Sequence, residues 1–276
     1  MTVGFVAAML AGDHVLRFEA IFRPLLAALL LTVFSWLLMV GNHVESHRIA
    51  AQGLPRLPGW GRQFAIGCGL GCVLVLVAIC PVAVLGHMSF RSILNAYGMR
   101  RVLIVFLILI TGSLAEELMF RGYPFQRLVE AIGPSGAIMV FAVMFGLVHL
   151  SNPGSNVWGL LNTVAIGVFL SLAFLQTRAL WLPWGLHFGW NATMGLLLGL
   201  PVSGLRLFNV AVRTTAAGPK WLTGGNYGIE ASVSGAFAIV AGLLIIWRFP
   251  FKPLPGATAF LPPPEQQVPD LSKLSA

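Results

Sequence analysis

The chain is 276 residues long, with 57% hydrophobic and only 9% charged residues, a composition that excludes an ordinary soluble domain and predicts an integral membrane protein. Its formal net charge of +8 does not indicate a nucleic-acid-binding protein, because the Lys and Arg residues are scattered at the ends of apolar runs and form no basic block. We therefore assign these charges to contacts with lipid headgroups.

The first segment, residues 1–12, is apolar, has no positive charge before it, and is soon interrupted by Asp13 and Arg17. These features favour an interfacial segment over a cleaved signal peptide. Several apolar runs follow, each close to the roughly 20 residues that a helix needs to cross a bilayer. They are residues 24–42, 63–86, 102–120, 135–150, 157–176, 180–200 and 231–248. The sequence therefore predicts an all-α fold, a polytopic transmembrane helical bundle of about seven spans, with a range of six to eight.

Two segments contain the residues that interrupt helices. Residues 201–230 hold basic residues among Gly and Pro, which predicts a loop with an interfacial helix or, alternatively, a short extra span. Prolines recur densely after Phe249, which predicts an extended, disordered tail over residues 250–276. We accordingly expect a single transmembrane domain over residues 1–249.

Two residue types are interpreted as structural. Cys68, Cys72 and Cys80 lie in one apolar run, where a thiol behaves as a small hydrophobe, and their spacing matches no metal-binding motif. The Trp residues near predicted span ends are interpreted as anchors at the level of the headgroups. These are Trp60, Trp158, Trp181, Trp184 and Trp247.

Charged residues inside the predicted spans are rare, and two of them are adjacent carboxylates, Glu116 and Glu117. An ionisable side chain at that depth costs roughly 2.5–3.5 kcal/mol by insertion scales. Glu117 and Arg121 are spaced to share one helix face, which predicts an ion pair; the alternative is a snorkelling cluster at the interface. Glu116 is rotated about 100° away and lacks that partner, so it is a functional candidate. The other acidic residues are assigned to loops or tails: Asp13, Glu19, Glu45, Glu130, Glu230, Glu265 and Asp270.

Histidine residues divide in the same way between loops and spans. His149 ends an apolar run and, taken alone, is interpreted as an interfacial residue. His187 and Asn191 are spaced to lie on one helix face, where they could simply join helices by hydrogen bonds. Because so few polar side chains lie at this depth, we favour a functional site for this pair.

Together these polar residues can hydrolyse a peptide bond by two routes. Glu116 can take a proton from water that His149 orients, while His187 and Asn191 donate hydrogen bonds to a tetrahedral oxyanion. Alternatively, Glu116, His149 and His187 can bind Zn²⁺ and leave a position open for water. The sequence does not choose between the two routes. It contains neither a Gly-x-Ser-x-Gly elbow nor a His-Glu-x-x-His motif, so a serine hydrolase or an ordinary zincin has no support.

These residues resemble the three motifs of the CAAX-protease and bacteriocin-processing family (CPBP, also called Abi) of intramembrane peptidases. The motifs are Glu116-Glu117-x-x-x-Arg121, Phe145-x-x-x-His149 and His187-x-x-x-Asn191. All three occur in the expected order, and the trio is far more specific than any one of them. The resemblance covers roughly residues 100–200, the expected functional core, and extends neither to the N-terminal spans nor to the Pro-rich tail.

The resemblance implies transmembrane helices around a central polar cavity that opens to one side of the membrane. It implies that Glu116 activates water alongside His149, that His187 and Asn191 stabilise the oxyanion, and that Glu117 and Arg121 support them. Both metal-dependent and metal-free members have been described, so zinc stays an alternative. The implied substrate is a membrane-associated peptide or a lipidated protein; eukaryotic relatives remove a C-terminal tripeptide from prenylated CAAX proteins.

Two other classes of function use similar residues. A proton-coupled transporter also needs membrane-embedded Glu, His and Asn, but the predicted spans show no inverted repeat with broken helices. An inert scaffold or immunity protein would be favoured by a degraded motif, and all three motifs are intact. We therefore expect an intramembrane endopeptidase, a multi-pass protein of a cell membrane, with the bacterial plasma membrane as the favoured location.

Overall fold

A computed structural model describes residues 52–93 and 98–257 of the chain, and within these ranges the protein is mostly helical. The expected interfacial segment 1–12, the span 24–42 and the tail beyond residue 257 lie outside the described residues. By length and hydropathy, 3 helical stretches of the described part qualify as candidate membrane spans: Trp60–Leu85, Gly98–Ser151 and Val157–Thr177. The count of seven spans stays a prediction.

The described helices and strands follow one another along the chain with short connections. The helices are α1 (Trp60–Leu85), α2 (Gly98–Arg121), α3 (Tyr123–Val148), α4 (Val157–Thr177), α5 (Trp181–Ala192), α6 (Lys220–Thr223) and α7 (Val233–Arg248). The strands are β1 (His87–Ser92) and β2 (Val212–Ala217). Short 3-10 turns follow α3 and precede α7, at His149–Ser151 and Ile229–Ala231.

Helices α1, α2, α4 and α7 lie close to the apolar runs that predicted them. Helix α3 is longer than the run 135–150, because it begins at Tyr123 and passes through a break at Gly133. Gly133 has a non-helical backbone, with φ of 80° and ψ of 166°, and is followed by Pro134, so α3 consists of two helical segments joined at a kink. A sequence pattern that stops at Gly and Pro therefore detects only the second half of α3.

The run 180–200 does not form one long helix. Helix α5 has 12 residues and continues as a π-helical turn, Thr193–Leu197, before the chain leaves helical structure. At about 1.5 Å per residue, α5 is too short to cross a bilayer core of about 30 Å. Most of its side chains are buried in the protein, so its apolar character reflects contacts with other helices and not with lipid.

The expectation of an all-α fold is wrong where β1 pairs with β2. The two strands are antiparallel, and their register runs from the pair His87 and Ala217 to the pair Ser92 and Val212. The hydroxyl groups of Ser89 and Thr215, 126 residues apart, lie 2.5 Å from each other. No hairpin turn joins the strands, so the sequence carries no local signal for the pairing. The segment 201–230 thus holds a strand and the 4-residue helix α6, and neither a longer interfacial helix nor an extra span.

Two of the Trp residues interpreted as headgroup anchors have a different role. Trp181 is 6% exposed, and its indole Nε1 donates a hydrogen bond to the carbonyl oxygen of Pro55 at 2.9 Å. Trp184 is half-buried and donates to the carbonyl oxygen of Ile110, also at 2.9 Å. Both residues therefore join α5 to other parts of the protein. The other three, Trp60, Trp158 and Trp247, are exposed, as the anchor interpretation requires.

Helices α1 and α5 approach each other until their backbones touch. Gly67 and Gly71 of α1 face α5, while Gly185 and Gly189 of α5 face α1. A Cβ added at any of the four would overlap backbone atoms of the opposite helix. Both pairs have the small-xxx-small spacing that allows close helix packing in membranes. This contact fixes the position of α5, the helix that carries the candidate His–Asn pair.

We expect Gly71→Ala to lower the free energy of unfolding by about 1–3 kcal/mol, because the added methyl group must separate α1 from α5. Gly69 provides a matched control on the same helix, since a Cβ there has no atom within 4 Å. Gly69→Ala should be neutral or stabilise the protein by up to about 1 kcal/mol through helix propensity. Thermal unfolding in detergent measures both variants, and equal melting temperatures would contradict the close contact.

Candidate active site

Three of the candidate residues meet at one point from three different parts of the chain. Glu116 lies on α2, His149 follows the end of α3, and His187 lies on α5. The Glu116 Oε2 atom is 3.9 Å from His149 Nε2 and 3.7 Å from His187 Nε2. These distances are too long for direct hydrogen bonds, and this buried oxygen has no hydrogen-bond partner among the described residues. The carboxylate oxygen thus faces both imidazoles at separations that a bridging water molecule commonly spans.

Glu117 contacts two basic side chains, those of His187 and Arg121, and meets His187 at the ring nitrogen that faces away from Glu116. Its Oε1 atom is 2.8 Å from His187 Nδ1 and 3.2 Å from a terminal nitrogen of Arg121. The side chains of Glu117 and Arg121 are both 0% exposed, so the pair is not a snorkelling cluster at the interface. When His187 Nδ1 donates its proton to Glu117, the ring is fixed with Nε2 directed toward Glu116.

Arg121 connects α2 to α4. It donates one hydrogen bond to the carbonyl oxygen of Gly167 at 3.0 Å and another to the hydroxyl group of Ser171 at 3.4 Å. Its guanidinium group also lies 4.7 Å from the ring centroid of Phe145, within the range of a cation–π contact. A buried guanidinium group needs several such partners, because desolvation of an unpaired charge is costly.

Phe145 holds the imidazole ring of His149 in place through its backbone carbonyl group and its aromatic ring. The His149 Nδ1 atom lies 2.7 Å from the carbonyl oxygen of Phe145, one helical turn earlier. The two ring centroids are 4.7 Å apart, and Phe145 also meets the His187 ring edge-on at 6.1 Å. Phe145 therefore packs against both imidazoles, and the contact with its carbonyl group leaves His149 Nε2 directed toward Glu116.

Two neighbouring cavities adjoin these residues. The larger has a volume of about 460 Å³ and is lined by Glu116 together with mostly apolar side chains of α2 and the end of α3. The smaller has a volume of about 40 Å³ and is lined by Glu230. His149, His187 and Asn191 line both. The larger volume is in the range of sites for small ligands, whereas the smaller can hold only a few water molecules.

Glu230, expected from the sequence to lie in a loop away from the site, is a buried carboxylate beside it. Glu230 is 4% exposed, and its Oε1 atom accepts a hydrogen bond from Trp190 Nε1 at 3.0 Å. Its Oε2 atom accepts hydrogen bonds from the backbone N–H of Ser203 and from the Ser203 hydroxyl group. One signal was available: Glu230 directly precedes an apolar run, and no basic residue lies nearby in the sequence to pair with it.

The zinc alternative receives no support from the described part of the chain. There, no three His, Cys, Asp or Glu side chains form a group that could hold a metal ion. The set proposed from the sequence, Glu116, His149 and His187, converges on one point, and contacts with Glu117 and with the Phe145 carbonyl group orient two of its members. Such contacts orient an imidazole equally for water and for a metal, so they do not distinguish the two routes. We assign no step of the chemistry to a metal.

One comparison with known proteins gives a match, and it lies in the central segment of the chain. Residues 98–193 match the family model described as type II CAAX prenyl endopeptidase Rce1-like. This match confirms, over these residues, the resemblance to the CPBP family. The Rce1-like family is a family of proteases, and together with the apolar helices it supports an intramembrane peptidase in general. No curated protein and no solved structure matches the chain.

We expect Arg121→Ala to destabilise the protein by about 3–5 kcal/mol, because it leaves the Glu117 carboxylate buried without its cation. The matched control is Arg127→Ala, since Arg127 forms an ion pair with Glu130 at 2.5 Å in which both side chains are partly exposed. The control should change stability by no more than about 1 kcal/mol. Denaturant unfolding in detergent compares the two variants, and equal effects would show that the Glu117–Arg121 pair contributes no more than a surface pair.

Proposed function

We propose that this protein is an intramembrane endopeptidase that hydrolyses a peptide bond with a water molecule activated by Glu116 and His149. One observation supports this most directly. The unpartnered Glu116 Oε2 atom faces His149 Nε2 at 3.9 Å and His187 Nε2 at 3.7 Å, at the wall of a cavity of about 460 Å³. A carboxylate and an imidazole around one small space are suited to general-base catalysis.

In the proposed reaction, Glu116 accepts a proton from water as the water oxygen attacks the carbonyl carbon of the scissile peptide bond. His149, held by the Phe145 carbonyl group, orients the water through Nε2. The proton then passes to the leaving amine as the C–N bond breaks, which restores the Glu116 carboxylate. Both products leave without a covalent intermediate, so no Ser or Cys nucleophile is needed.

The tetrahedral intermediate carries a negative oxygen, for which we propose His187 and Asn191 as donors. Both lie on α5 and line the larger cavity. His187 can donate from Nε2 while Nδ1 donates to Glu117 only when the ring carries both protons. The carboxylates of Glu116 and Glu117 together balance this charge and that of Arg121. A preorganised donor of this kind is worth several kcal/mol in the transition state.

The proposed substrate is a membrane-associated peptide or lipidated protein, with prenylated CAAX-type proteins included because the matched family is described by that substrate. The lining of the larger cavity supports an apolar ligand, since nine of its eighteen residues carry large apolar side chains. They are Ile108, Leu109, Met119, Phe120, Leu147, Val148, Val202, Leu205 and Phe208. Such a wall can bind a lipid chain or an apolar peptide segment beside the polar residues.

We expect Glu116→Gln and His149→Ala each to reduce cleavage at least about 100-fold, because each removes a group that handles the proton of the attacking water. The assay uses protein purified in detergent or liposomes with a library of lipid-anchored and membrane peptides. Glu130→Gln is the matched control, because Glu130 lies in a partly exposed ion pair with Arg127. A cleavage rate of Glu116→Gln close to that of wild type would overturn the proposed mechanism.

Removal of metal ions should leave cleavage unchanged, because in the proposed reaction Glu116 acts as the base and no step requires a metal. The same preparation is dialysed against a chelator, its bound metal is measured by elemental analysis, and cleavage is compared before and after. An activity that disappears on dialysis and returns with Zn²⁺ would contradict the proposed role of Glu116 as a base and favour its role as a ligand.

A further inference from the structure

Glu230 is a buried carboxylate for which the proposed reaction has no role. It lies in the 3-10 turn that precedes α7 and lines the smaller cavity, but not the larger one that contains Glu116. Burial raises the pKa of the Glu230 carboxyl group, and hydrogen bonds from Ser203 and Trp190 oppose this shift. A buried acid with three donors directed at its two oxygens is typical of a built polar network and not of a chance surface group.

The main chain at Glu230 is fixed as well. The side-chain amide of Asn162, on α4, donates hydrogen bonds to the carbonyl oxygens of Glu230 and Ser232 at 2.8 and 2.9 Å. The carboxylate therefore extends from a backbone that α4 holds in place. A group held in this way can define the positions of the residues that bind to it.

One of these residues, Ser203, lies in a strained turn. Val202 and Leu205 exchange backbone hydrogen bonds of 3.0 and 2.8 Å, and the two residues between them have positive φ angles, 46° at Ser203 and 82° at Gly204. Positive φ at both central positions is the pattern of a type I′ turn, which glycine adopts easily and serine does not. Such strain persists only where the surrounding contacts enforce it, and here both donors of Ser203 bind Glu230.

The turn has a further partner in Tyr227. Its backbone carbonyl oxygen accepts a hydrogen bond from the Gly204 N–H at 2.8 Å. Burial and the neighbouring Glu230 carboxylate raise the pKa of Tyr227 to about 12, against the opposing effects of Thr163 and Ser203, so the phenol keeps its proton. Glu230, Ser203 and Tyr227 thus form one network beneath the turn.

The network connects two sides of the candidate active site. Val202, Ser203 and Leu205 line the larger cavity, and Ser203 lines the smaller one too. On the opposite side, Trp190 donates to Glu230 and directly precedes Asn191 in α5. One carboxylate is therefore bound both to the helix that carries the proposed oxyanion donors and to the wall of the proposed substrate cavity.

We propose that Glu230 is a positioning residue of the active site, which binds Trp190 and Ser203 and thereby fixes Asn191 relative to the cavity-lining turn. It acts through these residues and does not touch the substrate. This role rests on the proposed peptidase function, because positioning matters only where Asn191 takes part in a reaction. A displacement of about 1 Å in such a group can reduce a rate by about 100-fold.

The test compares Glu230→Ala and Glu230→Gln with wild type and with the control Glu130→Gln. Cleavage rates are measured over a range of substrate concentrations at a temperature where each variant is fully folded by its own unfolding curve. We expect Glu230→Ala to lower kcat by about 100-fold and to change KM much less, since Asn191 acts in the transition state. Glu230→Gln keeps one acceptor oxygen and should recover part of that loss, whereas Glu130→Gln should match wild type.

Hydrogen exchange measures the same positioning without a substrate. In Glu230→Ala, we expect faster exchange in the segments 187–193 and 202–205 and unchanged exchange in α2 and α3. Unchanged exchange in both segments, kcat within about twofold of wild type, or a loss that only follows the folded fraction would each overturn the positioning role. If Glu116→Gln cleaves at the wild-type rate, the proposed function is overturned. The hydrogen-exchange result does not depend on cleavage, so it tests the positioning role separately.

Discussion

Glu117 and Arg121 hold opposite charges in the protein interior, where neither side chain reaches solvent. An isolated charge there would be very costly, so each group needs polar partners within the protein. Arg121 also binds the Gly167 carbonyl group, and Glu117 also binds His187. The need to satisfy one ion pair therefore joins α2, α4 and α5, and the positions of the other candidate residues follow from that junction.

Glu116 and Glu117 are consecutive residues of α2, so their side chains point about 100° apart and enter different environments. Glu117 is fully buried and its Oε1 atom contacts both Arg121 and His187, whereas Glu116 lines the larger cavity and has no direct hydrogen bond to either imidazole. The same helix thus provides a support and a candidate base. The close glycine contact between α1 and α5 completes the arrangement, because it fixes the helix on which His187 faces both acids.

The part of the chain after α5 contributes more to the site than a connecting loop would. It returns across the cavities, pairs with β1 through β2, and places Ser203 and Glu230 beside the imidazoles. The matched Rce1-like segment ends at residue 193, before either of these residues. The family match thus covers the three motifs. Other residues that line the same cavities, among them Ser203 and Glu230, lie outside the matched segment.

Sequence by itself determined the features that depend on short-range spacing. The Glu117–Arg121 pair and the shared helix of His187 and Asn191 follow from helical periodicity, and the apolar runs located most of the described helices. Only the tertiary structure decided the role of Glu230, 40 residues from Trp190, and the pairing of β1 with β2. It also decided that α5 is buried in protein. The physical reason is that apolarity is the same signal for lipid contact and for protein contact, and that bonds between distant residues leave no periodic pattern in the chain.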